Sequence, residues 1–198
     1  MVRKGKTMKI KKGDAGYINQ RKRNVMIKTI LEFGIVLALL FLGIWQTGDR
    51  LNLLTVIAIL GCLPASKTLV ELIMIVPHHS VTKEMADEIQ LKGDHLTRVF
   101  DMVFTSEKKI MPVESIVISN HTVCGYTSNP KVDANVVSAH VKKYLSANNW
   151  GKVSVKIFDH YSNYLKRIGE MNVIAVHDNK EIEESEAAIK RVILSISL

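Results

Sequence analysis

Two apolar runs stand back to back near the start of the chain. Residues 25–47 read VMIKTILEFGIVLALLFLGIWQT, residues 51–76 read LNLLTVIAILGCLPASKTLVELIMIV, and only Gly48-Asp49-Arg50 lies between them. Few folds accommodate such a pattern. A helix needs about 20 apolar residues to cross the hydrocarbon layer of a bilayer, and each run supplies them. A link this short then forces an antiparallel helical hairpin. A secretory signal peptide fits poorly, because the apolar core is too long, no A-x-A site follows and a second apolar run begins at once.

The charges inside these runs decide how they are read. Lys28 and Glu32 fall in the first two turns of the first run, beside the headgroups, and Trp45 sits at its other end, where an amphipathic ring favours the interface. Lys67 and Glu71 lie deep in the second run by sequence. Lys67 comes 16 residues after Leu51, about 24 Å along a helix that rises ~1.5 Å per residue. The hydrocarbon layer is only ~30 Å thick, and a lysine stem reaches several Å further. Lys67 is therefore expected at the near interface, with Glu71 one turn beyond on the same face. The pair marks the membrane exit in this reading, with the inner end of the hairpin near residues 67–71. Pro64 frees a backbone carbonyl and is expected to kink the helix. Such breaks occur at transport sites, but nothing else in two helices supplies ion-binding groups.

A net charge of +8 and a pI near 9.5 look at first like a nucleic-acid binder. Residues 1–28 hold ten of the 27 basic residues and one of the 19 acids, Asp14, which leaves 17 basic against 18 acidic residues in the rest. The excess is thus confined to the N-terminal segment, residues 1–24 of which read as a basic tail. The tail suits a disordered topology signal or contact with anionic lipid, worth ~1 kcal/mol per basic residue held at the surface. Nucleic acid is disfavoured, since no aromatics beyond Tyr17 interleave the charges. Basic residues stay on the cytoplasmic side, so a cell-membrane, two-pass arrangement with both termini cytoplasmic is expected. The sequon Asn120-His121-Thr122 then reads as a turn.

Residues 77–198 read as a cytosolic α/β domain. The pattern predicts a helix over 80–94, strands over 98–106, 114–119 and 122–128, and a helix over 132–151 capped by Asp133 and ended by Gly151. It continues with a strand over 152–158 with Val153, Val155 and Ile157 inward, a helix after Asp159 packing Tyr161, Leu165 and Ile168, a strand over 172–177 and a helix over 180–198. The expected fold class is a two-helix transmembrane hairpin followed by a small cytosolic α/β domain of order α-β-β-β-α-β-α-β-α.

The first six of these elements, over residues 80–158, resemble the restriction-endonuclease-like core, and VESIVISNHTVCGYTSN resembles the hairpin that carries the PD-(D/E)xK motif there. The resemblance implies an acid opening the second strand, where Glu114 stands, and an acid-x-lysine on the third. That strand instead reads Cys124-Gly125-Tyr126-Thr127. The resemblance therefore implies an inactive relative, with Glu114 and a neighbouring acid such as Asp101 as the only catalytic candidates.

Other chemistry is sparse. His78-His79 follows the membrane exit with Asp87 and Glu88 in the next helix, but adjacent histidines cannot both face one point on a regular element. His95, His160 and His177 lack acidic or cysteine partners at ligand spacing. His121 reads as a turn residue and His140 as a helix-face residue. Cys62 and Cys124 show no disulfide or zinc-finger spacing, and Cys124 reads as a buried, inert thiol. No Walker, GxGxxG or GxSxG motif occurs, so no metal or cofactor is expected. The expected function is a membrane-tethered binding or regulatory module without catalysis, with an unidentified protein partner and room for an oligomer. The alternative is a membrane-anchored divergent nuclease.

Overall fold

The structure, a computed structural model, describes residues 10–48, 53–106, 109–175 and 180–198. It divides into two compact units. One contains residues up to Tyr17 together with Ser80–Leu198, and the other is Ile18–His79.

The second unit is a pair of helices, α1 (Tyr17–Thr47) and α2 (Leu53–Ile75), both long and apolar enough to cross a membrane. Helix α1 begins eight residues before position 25, so the stretch expected as basic tail is helical from Tyr17 onward. Its buried positions explain why. Ile18, Val25, Thr29, Val36 and Gly43 recur at seven-residue spacing, or at four and seven, and form one seam along the helix. On α2 the seam is made of small residues, Ala58, Ala65 and Thr68, with Gly61 between them. A Cβ added at Gly61 would lie 3.1 Å from Val36 Cγ2. Close backbone approach through small residues is how helices associate where lipid removes the hydrophobic driving force. Cross-contacts 21 with 71, 32 with 68 and 36 with 61 run in opposite senses, so the helices are antiparallel, as the short link requires. Asp49 and Arg50 themselves lie outside the described residues. Helix α2 runs from Leu53 to Ile75 with Pro64 inside it.

The first unit is a three-layer α/β/α domain. Its elements are α3 (Lys83–Lys92), β1 (Thr97–Thr105), β2 (Ile110–Ser119), β3 (Thr122–Tyr126), α4 (Ala134–Ala147), β4 (Ser154–Phe158), α5 (Tyr161–Ala175) and α6 (Lys180–Ser195). The sheet order is β1-β2-β3-β4, antiparallel except that β3 and β4 run parallel, joined by α4. One face buries Ile116, Ile118 and Val123 under Val137, Val141 and Leu145 of α4 and Ile189 and Ile193 of α6. The other buries Phe100, Val117 and Cys124 under Ile89 of α3 and Tyr164, Leu165 and Ile168 of α5. The outer edge of β1 is closed by the chain's own ends. Phe100 N–H donates to Gly13 O at 2.8 Å, and Leu198 N–H to Val103 O at 2.9 Å. Gly13 serves there with φ +97, where a side chain would meet Leu194 and Val99.

The sequence expectation for the domain needs three corrections. Residues 172–175, expected as the start of a strand, are the last turn of α5; Val176 and His177 lie outside the described residues. The β-branched run Val173-Ile174 suggested a strand, yet Tyr164, Leu165, Ile168, Met171 and Ala175 keep a helical stripe into the core while Val173 and Ile174 point outward. The described order is therefore α-β-β-β-α-β-α-α. Helix α4 ends at Ala147, capped by Asn148, rather than at Gly151, and Asn149 takes the left-handed turn, φ 67, that a glycine would ordinarily supply. Strand β2 begins at Ile110, with Pro112 inside it. The Asn120-His121 turn, the Asp133 cap and the inward Val153 and Ile157 are as expected.

Candidate functional site

In the helix pair, Lys28 and Glu32 pair as their spacing suggests, but Glu71 pairs with a residue other than Lys67. Glu71 accepts from Arg21 of α1, 2.8 Å from Nη2 and 3.3 Å from Nε. Lys67, one turn earlier on α2, is exposed. This partner is legible in the sequence only if α1 extends back to Tyr17, because Arg21 precedes the apolar run. Glu32 lies 3.7 Å from Lys28 and also accepts from Thr68 Oγ1 across the pair at 2.6 Å. Trp45 is 87% exposed near the opposite end of α1.

Asp101 and Glu114 occupy an unusual place in the sheet. Strands β1 and β2 pair Phe100 with Ser115 and Met102 with Val113, so Asp101 and Glu114 face one another without joining the ladder. Asp101 has φ 58, a left-handed conformation that Asp tolerates better than most residues. Side-chain alternation slips in both strands at this point. Val99 and Met102 lie on the α4/α6 face although three residues apart, as do Val113 and Ile116. The double slip preserves the register while it releases two carboxylates for other work. Asp101, 2% exposed, accepts from Val81 N–H at 2.8 Å and so ties the segment entering α3 to the sheet. Glu114 accepts from Ser128 N–H at 3.0 Å and from the Ser128 hydroxyl, closing the loop after β3. Each candidate acid thus holds a loop.

Near these acids lies an aromatic cluster. Tyr126 packs against Tyr161 and Tyr164 at centroid distances of 5.2 and 5.7 Å, Tyr161 donates to Glu88 at 2.9 Å, and Tyr164 shares a 2.8 Å hydrogen bond with Ser115. Burial pushes all three phenols above their ordinary range, with Glu88 adding to the effect at Tyr161. Neutral phenols of this kind serve as hydrogen-bond donors and packing. Among the described residues, no three His, Cys, Asp or Glu side chains gather as a metal site. His160 pairs with its neighbour Asp159 at 2.9 Å in an exposed position, and His140 packs against Phe104 and Tyr144.

The sequence reading missed a cleft of about 640 Å³ along the edge strand β4 and helix α5. Lys156 lines it from β4, Lys166, Arg167 and Glu170 from α5, and Cys124 from β3. Register explains the grouping, because Cys124 and Lys156 are neighbours across the parallel β3–β4 pair. Burial raises the Cys124 thiol above its usual value, an effect opposed by the nearby Arg167. That thiol is 1% exposed, and it forms part of a wall. The alternation of β4 placed Lys156 on the α5 face, which was the one available hint. No protein family, curated protein or solved structure matches this chain.

Proposed function

We propose that the chain is an integral membrane protein whose helical hairpin tethers the α/β domain as a non-catalytic binding or regulatory module on the cytoplasmic side. The surface of the helix pair carries this reading. Ile27, Ile30, Leu31, Ile35, Leu37, Phe41 and Leu42 on α1 are each more than half exposed, and so are Leu53, Ile59, Leu60, Leu63 and Ile73 on α2. Water would penalise such a belt by roughly 25 cal/mol per Å² of apolar surface, whereas lipid would not. Monomeric soluble proteins rarely expose apolar patches this extensive. The seam supports the same reading, since small residues and interhelical hydrogen bonds replace apolar burial there.

The basic residues near the start of α1 support cytoplasmic termini, and anionic lipid is the surface they suit. Thiol labelling on intact cells tests both insertion and orientation. In a background lacking Cys62, a cysteine at position 49 should react with an impermeant reagent, and one at the exposed position 152 should react only after permeabilisation. The reverse pattern would overturn the orientation, and release of the protein by alkaline carbonate would overturn the anchor.

The rival reading, an anchored divergent nuclease, draws on the element order over residues 80–158. It requires Asp101 and Glu114 to leave Val81 and Ser128 and bind a metal. The binding-module reading leaves those hydrogen bonds intact, and we prefer it for that reason. Metal-dependent cleavage of nucleic acid by the purified full chain, lost in Glu114→Ala, would reverse the choice.

A further inference from the structure

The cleft beside β4 contains three cations and one carboxylate. Arg167 is held by Glu170 at 2.9 Å. Among the described residues neither Lys156 nor Lys166 has a carboxylate partner. Lys156 Nζ instead lies 4.9 Å from the centroid of the Phe158 ring, a wall of the same cleft. Positive charge that the protein itself leaves unmatched is thereby gathered on two facing elements, one a strand and one a helix. Hydroxyls of Thr122 and Ser154 and the amide of Asn163 complete the lining.

We propose that this cleft binds a small phosphate-bearing anion, which would be the ligand of the binding module inferred above. Four observations point to that class. Its volume lies within the roughly 300–1,000 Å³ of small-molecule sites, so a single small anion fits. The lining supplies two ammonium groups, which act as point charges toward phosphate, and a guanidinium, which binds its oxygens in a fork. Hydroxyl and amide donors stand beside the charges, as oxyanion recognition requires. Phe158 adds a flat apolar surface against which an organic part of the ligand can lie. A nucleic acid would instead require a track of cations extending beyond one cleft.

The same phosphate chemistry is offered by a soluble ester and by a lipid head group, and one experiment separates them. The full chain is placed in nanodiscs of pure phosphatidylcholine, and the acylation rates of individual lysines are followed by mass spectrometry. Inorganic pyrophosphate should slow modification of Lys156 and Lys166 about fivefold or more while leaving exposed Lys152 unchanged. Protection of the same two lysines without pyrophosphate, in nanodiscs that contain phosphatidic acid, would assign the phosphate to lipid. Equal protection at Lys152, or none anywhere, would overturn the proposal. So would an oligonucleotide that binds a hundredfold more tightly than pyrophosphate.

Two variants test the residues by calorimetric titration of pyrophosphate. Lys156→Ala with Lys166→Ala should weaken binding about tenfold or more. Glu170→Gln removes the competing carboxylate and frees Arg167, so it should tighten binding about threefold. A merely structural role for Glu170 would not strengthen binding, and unchanged affinity in both variants would sink the assignment. Because the cleft lies wholly within the α/β domain, failure here leaves the membrane reading standing. Failure of the thiol-labelling pattern leaves the cleft standing.

Discussion

Glu71 of α2 takes a 2.8 Å hydrogen bond from the Arg21 guanidinium of α1, while Lys67, one turn earlier on α2, is exposed. Two charges expected to form a pair by spacing therefore have separate environments. The side chains of Arg21 and Glu71 retain 27% and 42% of their exposure, so the pair is not deeply buried.

The first prediction follows from that geometry. Exposed ion pairs contribute about 0.2–1 kcal/mol, and a double-mutant cycle on Arg21→Ala and Glu71→Ala should return a coupling in that range. Lys67→Ala should leave the amount of carbonate-resistant protein unchanged. Exchanging the charges, Lys67→Glu with Glu71→Lys, would set a lysine against Arg21 and should be the least stable arrangement. A mid-bilayer lysine would instead cost about 2.5–3.5 kcal/mol on insertion scales. Lys67→Leu would then raise the inserted fraction sharply, an outcome that would refute the interfacial placement.

The Asp101 turn gives a second prediction. Asp101→Ala leaves Val81 N–H buried without its partner, which costs about 1–3 kcal/mol, and the left-handed backbone penalises alanine by roughly 1–2 kcal/mol more. Asn keeps both an acceptor and tolerance of that conformation, so Asp101→Asn should retain most of the stability. Denaturant midpoints of the two variants decide it. Equal losses would mean that the carboxylate charge, not the loop hydrogen bond, is what matters.

Most of the fold could be read from the sequence because most of it rests on periodicity. The two apolar runs, the Asp133 cap and the alternation of Val153 and Ile157 all came through. The failures share a cause. Val173-Ile174 has strand propensity, but the stripe from Tyr164 to Ala175 packs as a helix, and tertiary burial prevailed over local preference. The Asp101–Glu114 slip leaves no trace in composition, because it depends on two strands changing phase together. The basic cleft was hidden for a similar reason, since Lys156 and Lys166-Arg167 meet only once β4 and α5 are side by side.

His140 gives a pH prediction. Burial, followed by repulsion from Lys143, lowers its proton affinity below the ordinary imidazole value. The unfolded chain then binds a proton more readily than the folded one. Stability is fully present above the unfolded pKa, ~6.5, and is lost as pH falls through the lowered folded value. Full-length protein in detergent should therefore melt at a lower temperature at pH 5.5 than at pH 7.5. His140→Phe, which can pack against Phe104 and Tyr144, should reduce that drop. An identical drop in the variant would assign the effect elsewhere.

Gly125 gives a fourth. A Cβ there would come within 2.6 Å of Ile157 Cδ1 and 3.2 Å of both Ile116 Cγ1 and the Ser115 carbonyl oxygen. Ile157 can rotate, whereas the β2 backbone cannot easily yield. Gly125→Val should therefore overpack the face under α4 and cost about 1–3 kcal/mol. Adding Ile157→Ala should recover part of the loss. No recovery would show that the backbone contact dominates.

The last prediction concerns the seam that joins α1 and α2. Ala65 is 0% exposed and Ala58 1%, with Gly61 between them. Ala65→Leu should force the helices apart and break the Thr68–Glu32 hydrogen bond with them. Thr68→Val removes the hydroxyl's hydrogen bonds to Glu32 and to Ala65 O while keeping the packing, because the valine methyl occupies the hydroxyl's space. Interhelical hydrogen bonds in membranes average about 0.6 kcal/mol and reach about 1.7 kcal/mol, and the bond to Ala65 O at 3.0 Å lies within α2 itself. Thr68→Val should thus be mild and Ala65→Leu severe, as measured by disulfide trapping between cysteines placed at positions 36 and 61. If Thr68→Val abolished trapping while Ala65→Leu spared it, polar contacts rather than close packing would hold the pair together.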